Sequence, residues 1–421
     1  MAYGEVHPEP WDPEVESPAT IAILGAGPIG IETALYARFL GYYVEILDAH
    51  KVASRPLRWG NRSLEQPFAS CSSSLGRAAL LAQNPNVQLP DPDCILTGAE
   101  FAERYVIPLA KTDLLHEFVH IQSRVVSVSR YHSHRSDPIG GQDRCNDEFL
   151  VVVQSNQRGT WHLRADVVVD CTGHANDGIG LGPGGGVAVG QAEHGNKIQW
   201  KIPRLTGLDR SVHAGQHTVL WGDSREALET ASDFLELFAH HSGTRLTWIT
   251  PDRGDDAWSQ ARMASVSTLS ARLSQRSDRF ATYRCLGMEK LEWVEPSSHG
   301  GPKDEGWKLH VLLPDHTSAV VTAHLLITLP DPQPDWSWAT ALRVCEPCYM
   351  GSTTLHEPLA GSIDSPFWEV ATREPHYYCL GSKRWADRRL ANWPAMQDQI
   401  RKLFALLGGR HDLDLYRQFQ S

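Results

Sequence analysis

The sequence predicts an α/β protein with two βαβ units, the second lying between the two halves of the first. Three observations predict it. The chain opens with a glycine fingerprint, Ile21-Ala-Ile-Leu-Gly25-Ala26-Gly27-Pro28-Ile29-Gly30, followed by a helix pattern and then Tyr43-Val-Glu-Ile-Leu-Asp48-Ala49. A second strand–helix–strand pattern runs from Thr218 to Thr250. Two further apolar segments, Ala165 to Gly173 and Glu374 to Ser382, each read as a strand running into a glycine turn.

The first unit is a dinucleotide site by spacing. Gly25 permits a tight turn, Gly27 lets backbone approach a pyrophosphate, and Gly30 lets helix and strand pack closely. Ile31, Ala34, Leu35, Arg38 and Leu40 give the helix its period, and its N-terminus offers unpaired N–H groups to phosphate. Asp48, 23 positions after Gly25, ends the second strand where a carboxylate can hold a ribose hydroxyl. At the far end, Ala395 to Leu407 reads as an amphipathic helix stopped by Gly408-Gly409.

The inserted pattern has strand Thr218–Trp221, helix Arg225–Phe238, strand Arg245–Thr250, a hairpin over Lys308–Leu313 and Ala319–Thr322, and a closing strand from Ala323 to Pro330. Its glycine fingerprint is altered to Gly222-Asp223-Ser224-Arg225-Glu226-Ala227, which sets Ser where backbone should meet a pyrophosphate and two acids near the helix start. Arg253 is the candidate for a 2′-phosphate, but Asp252 beside it favours an unphosphorylated ribose or no ligand. Nucleotide binding and a purely scaffolding role both stay open here.

An N-terminal fingerprint, a mid-chain strand ending Asp170-Cys171-Thr172-Gly173 and a C-terminal strand–Gly381-Ser382–helix together resemble the flavoproteins with two dinucleotide-binding domains. That superfamily includes thioredoxin-reductase-like enzymes, flavin-containing monooxygenases and N-hydroxylating monooxygenases. Leu75-Gly-Arg-Ala78 and the stretch Asp91 to Gly98 are similar to a bacterial branch of its FAD-dependent oxidoreductases. The resemblance implies a discontinuous Rossmann-like FAD-binding domain (19–190 and 336–421) and an inserted, smaller NAD(P)-binding-type domain (200–335); residues 1–18 read from their composition as a flexible tail. The resemblance also implies FAD on residues 25–30, on Asp48 and Ala49, beside Arg58 and Trp59 of the loop 52–61, at Val126 for the adenine, and at Cys171, Thr172, Gly173, Gly381, Ser382, Met396 and Gln397. The last helix would point its N-terminus at the flavin. NADPH or NADH would bind at Gly222, Asp223, Ser224 and Arg253. Trp59 is equally readable as a tryptophan docked under a surface loop.

Bulk properties agree. The chain has 421 residues, enough for two or three domains, and a net charge of -11 that disfavours nucleic acid or an anionic membrane. No apolar run reaches the roughly 20 residues of a membrane helix. Met1 to Pro18 is proline-rich and acidic, with no secretory pattern. The eight cysteines are scattered, several within apolar strands, as in a reduced cytoplasmic protein. The expected partners are a small-molecule substrate and, as an open option, a second copy of the chain.

Several motifs are discounted. His116-Glu-Phe-Val-His120 matches a zinc-hydrolase pattern, but it abuts a strand and lacks a third ligand, so no metal is expected. Cys345-Glu-Pro-Cys348 is a lone CxxC on an apparent return loop; two structural cysteines are the better account than a redox pair. His174, next to Thr172-Gly173, is a proton-relay candidate, with a hydrogen-bonded loop histidine the simpler account. Lys383 to Arg389 reads as a solvated turn, the better account than arginines binding an acidic substrate. Glu100 to Ile107 reads as a short core helix interrupted or kinked at Pro108.

The leading functional expectation, from the resemblance, is an FAD-dependent, NAD(P)H-dependent monooxygenase acting on a small molecule. The alternatives are a flavin oxidase or dehydrogenase without nicotinamide, and a non-catalytic flavin-binding protein. No catalytic side chain is named, because the cofactor carries such chemistry.

Overall fold

The computed structural model describes residues 11–60, 62–138, 142–175, 179–252, 257–276, 278–295, 305–331, 333–344, 370–384, 392–410 and 412–419. By its contacts the chain divides into Met1–His174 with Pro334–Ser421, and Ala175–Gln333. The first crossing therefore comes at 174/175, just before the Gly/Pro-rich stretch 176–205 in which the sequence places it.

The first unit begins with β1 (Thr20–Leu24), α1 (Pro28–Phe39) and β2 (Tyr43–Leu47), each within a residue or two of the periodicity. Next come α2 (Ser54–Trp59), α3 (Ser74–Gln83) and β3 (Val119–His120). β4 (Ser123–Arg130), β5 (Phe149–Ser155) and β6 (Gly159–Ala165) form an antiparallel three-stranded sheet. β7 (Val167–Asp170) pairs in parallel with β1, Val169 opposite Ile23. Its all-buried valines read as a central strand of a covered parallel sheet.

The second unit repeats this plan. β8 (His217–Trp221), α4 (Arg225–His240) and β9 (Arg245–Pro251) form its βαβ element. α5 (Ala257–Arg276) and β10 (Phe280–Cys285), which the sequence reading did not contain, extend the sheet. β11 (Gly287–Val294), β12 (Gly306–Leu312) and β13 (Ser318–Ala323) make an antiparallel sheet containing the expected hairpin. β14 (Leu325–Thr328) closes the parallel sheet in the order β10-β9-β8-β14. Phe234, Leu237, Trp248 and Ile327 are at the centre of its core.

The chain then returns to the first unit. β15 (Tyr377–Cys379) pairs with β7, giving the order β15-β7-β1-β2-β3. α6 (Trp393–Leu407) packs Leu403, Phe404 and Leu407 into the core around Ile21, Ile23 and Leu35, and α7 (Leu415–Gln418) follows. Gly408 and Gly409 end α6 as predicted, Gly409 with φ +59°.

Three expectations are corrected. Residues 11–18 are not a loose tail: Trp11 is buried with its ring 4.9 Å from that of His376, and the Val15 N–H donates to the Leu407 carbonyl at 2.9 Å. One tryptophan's burial outweighs the proline-rich composition around it. The helix near Pro108 is not cut there. It runs from Gly98 to Ala110 through a wide turn at Ala102–Val106, in which the Ile107 N–H reaches back to the Ala102 carbonyl. A proline lacking its N–H is accommodated by such a π-turn. Finally, α6 begins at Trp393 rather than Ala395, because Asn392 caps it. Among the described residues no helix is long and apolar enough to cross a membrane.

Candidate functional site

The glycine turn after β1 is shaped by its own backbone. Gly25 has φ +102°, and a β-carbon there would lie 2.9 Å from the Cys171 carbonyl oxygen. A β-carbon on Gly30 would lie 1.8 Å from the Gly25 carbonyl oxygen, so both positions are closed to any side chain. Gly27 differs: its backbone is extended (φ -72°, ψ 178°), and a β-carbon there would meet nothing within 4 Å. Gly27 is also the N-cap of α1, and no side chain caps that helix. The turn thus presents an uncapped helix end to open space, the arrangement that favours an anion.

Asp48 closes one side of this turn. Its Oδ2 accepts the Ala26 N–H at 2.7 Å and its Oδ1 accepts the His50 N–H at 2.7 Å. Burial pushes its carboxyl up, while those two N–H groups and the nearby His50 and Arg58 pull it back. Ala53 donates its N–H to the Ala26 carbonyl at 3.0 Å, bringing the start of α2 against the turn. Arg55, on α2, donates to the His174 carbonyl oxygen.

Two more predicted segments converge here. Gly381 (φ +78°) packs against Ile29, to which its β-carbon would come within 3.8 Å. Ser382 sits by Gly173, and its Oγ is 3.1 Å from His174 Nδ1. The structure therefore gathers residues 25–30, Asp48, Cys171–Gly173, Gly381 and Ser382 around one end of the parallel sheet. Ala49 follows Asp48, half-buried, and Pro28 opens α1. Arg58 is exposed, 3.5 Å from His50 Nε2. Trp59 is half-buried and packs over Gly98, whose β-carbon would come within 2.7 Å of it. Val126 is exposed at a bulge where β4 slips register against β5. Met396 packs against the core, and Gln397 follows it in the first turns of α6. That helix's end is occupied by its own cap, with the Ala395 N–H donating to Asn392 Oδ1 at 3.0 Å. Gln399, one turn on, receives the Gly381 N–H at 2.8 Å.

A cluster that the sequence reading missed adjoins these turns. Lys383 is fully buried, which corrects its reading as part of a solvated turn. Its Nζ lies 2.6 Å from Asp170 Oδ2, 3.3 Å from Thr172 Oγ1 and 2.5 Å from the Asp335 carbonyl oxygen. The available signal was an acid ending an all-valine strand and a lysine two residues after the glycine turn of the neighbouring strand.

The second unit's turn is built differently. Gly222 (φ +125°) is pinned, since a β-carbon would lie 2.1 Å from the Leu329 carbonyl oxygen. Ser224 caps α4, its Oγ accepting the Ala227 N–H at 3.1 Å and donating to the Leu329 carbonyl at 2.8 Å. Asp223 is buried beside it. Asp252 Oδ1 is 2.5 Å from Arg284. Arg253, Cys345 and Cys348, with residues 385–390, lie outside the described residues. The His116–His120 run is a 3-10 turn leading into β3, so the helical face a zinc site needs is not formed there.

No protein-family model and no curated protein matches the chain. Among solved structures it is similar to the bacillithiol disulfide reductase Bdr of Bacillus cereus, with 12% identity, covering 96% of this chain and 99% of that one at a TM-score of 0.56. Lactococcus lactis thioredoxin reductase (12% identity, 92% and 98% covered, TM-score 0.51) and T. acidophilum thioredoxin reductase (14%, 94% and 99%, TM-score 0.50) are also similar. The chain thus shares the two-unit α/β fold of these reductases over nearly its whole length.

Proposed function

We propose that this protein is an FAD-dependent oxidoreductase acting on a small molecule. The observation that carries the reading is the uncapped N-terminus of α1 with open space above Gly27 and a carboxylate, Asp48, at the end of β2. The residues fit the group. The N–H groups of Gly27, Ile29 and Gly30 take the diphosphate, Ala26 donating instead to Asp48 and Pro28 having no N–H, and Asp48, with oxygen lone pairs to spare beyond its two backbone donors, takes a ribose hydroxyl. Thr172–Gly173 and Gly381–Ser382 lie at the strand ends where the ring-bearing half belongs, with Met396 and Gln397 beyond them. Bound FAD supplies two-electron chemistry, accepting hydride and passing electrons to an acceptor.

The finer reading is a monooxygenase reduced by NADPH or NADH through the second unit. Two observations support it. That unit carries the four-stranded parallel sheet and positive-φ glycine turn of a nucleotide-binding domain. Cys171, beside the first glycine turn, is buried, and that burial raises its thiol well above the ordinary range, which disfavours it as a disulfide-exchange nucleophile.

A second reading, an oxidase or dehydrogenase reduced by its own substrate, is favoured by Ser224, which fills the helix end a nicotinamide diphosphate needs. Anaerobic mixing of the FAD-loaded protein with NADH and NADPH tests the choice. Bleaching of the flavin absorbance by either supports the first reading, and persistence of the yellow colour with both supports the second.

A further inference from the structure

Asp170 and Lys383 form an ion pair with no side-chain exposure, at the C-terminal edge of two adjacent parallel strands. A pair so placed gives up hydration on both ions, and an apolar pair of similar volume is often no less stable. Such a pair can serve a role beyond holding the core.

The geometry supplies one. Asp170 Oδ1 accepts the Thr172 N–H at 3.0 Å and its hydroxyl at 2.6 Å. Asp170 Oδ2 accepts Lys383 at 2.6 Å and the Tyr377 hydroxyl at 3.1 Å. The ammonium rests over the rings of Trp336 and Trp338, 3.8 and 4.5 Å from their centroids. The N–H and the hydroxyl of Thr172 are thereby both held toward Asp170. Gly173 adopts φ +64° and lies against Ser382, the residue before Lys383.

We infer that Asp170 and Lys383 are positioning residues that clamp the Cys171–Gly173 turn to the Gly381–Ser382 turn and so set the spacing of the flavin-holding strand ends. This rests on the FAD reading above. The pair acts through Thr172 and Ser382, and a cofactor bound between misplaced turns loses contacts on both sides.

The test measures FAD dissociation constants, by quenching of flavin fluorescence at 10 °C, for wild type, Lys383→Met and the double variant Asp170→Asn/Lys383→Met. Lys383→Met strands a buried carboxylate; the double variant removes both charges and its melting temperature recovers toward wild type. At least tenfold weaker FAD binding is expected in both, with a shifted visible spectrum in the bound fraction. Thr172→Val leaves the ion pair intact and carries the same test where Lys383→Met does not fold; at least fivefold weaker binding is expected. Wild-type affinity in the double variant or in Thr172→Val overturns the inference and leaves the FAD reading standing. A wild type that takes up no FAD overturns the reading itself, and the inference with it.

Discussion

A β-carbon on Gly30 would stand 1.8 Å from the carbonyl oxygen of Gly25, whereas one on Gly27, midway between them, would touch nothing. Two glycines of one fingerprint are thus required by the fold, and the third is not. Gly30→Ala should destabilise the protein by about 2 kcal/mol or more through overpacking. Gly27→Val should leave the melting temperature of the cofactor-free protein within a few degrees of wild type yet abolish FAD uptake. Calorimetry and flavin fluorescence on the same samples separate the effects; equal FAD affinity in Gly27→Val speaks against a diphosphate at this turn.

Glu32 makes stability depend on pH. It is buried on α1 with the Tyr105 hydroxyl 3.4 Å from its Oε2, and burial raises its carboxyl from 4.5 to about 7. The folded state therefore keeps a proton that the unfolded state loses above 4.5. The stability this contributes is fully present below pH 4.5 and is lost as pH rises to 7, by about 3 kcal/mol. Glu32→Gln should flatten that slope, so urea midpoints at pH 5 and 8 should differ less in the variant. An unchanged slope would mean Glu32 is ionised in the fold.

Glu374 anchors the antiparallel sheet of the first unit. Its carboxylate lies 2.9 Å from Arg130 Nε, 2.7 Å from an Arg144 terminal nitrogen and 3.0 Å from the Arg343 N–H. Both guanidiniums are buried, so Glu374→Ala leaves two unpaired charges and should cost about 3 to 5 kcal/mol. Glu374→Ala should therefore unfold at markedly lower urea than wild type; a shift under about 1 kcal/mol removes the anchor role.

Ser224 decides how freely the second unit meets a nucleotide. Ser224→Ala loses a helix cap and a bond to the Leu329 carbonyl, and should cost about 1 kcal/mol. Ser224→Gly costs less and frees the helix end. If nicotinamide diphosphate binds there, NADH or NADPH affinity rises in Ser224→Gly; calorimetric titration that finds no binding to either form removes this turn as the site.

The legible parts of this chain are those where one local signal acts alone. The 25–30 fingerprint, the valine run 167–169 and the amphipathic periods of 225–238 and 395–407 carry their structure in their spacing. α5 was not legible because its sequence is rich in serine, with Val266, Leu269 and Leu273 as its sparse buried stripe. β10 was missed because its side chains are largely exposed. At the candidate site, glycines and strand ends are readable, since each answers to a backbone requirement. Lys383 is not: only the pairing of Cys379 with Asp170 brings the lysine's turn to a carboxylate 213 positions away. Long-range ion pairs leave no local trace, and surface turns and buried clamps share one composition.

The most direct measurement is the visible spectrum of the protein after incubation with excess FAD and removal of the free flavin. A yellow protein carrying a single flavin per chain is expected, with the colour lost in Gly27→Val. A colourless wild type of intact fold contradicts the FAD reading.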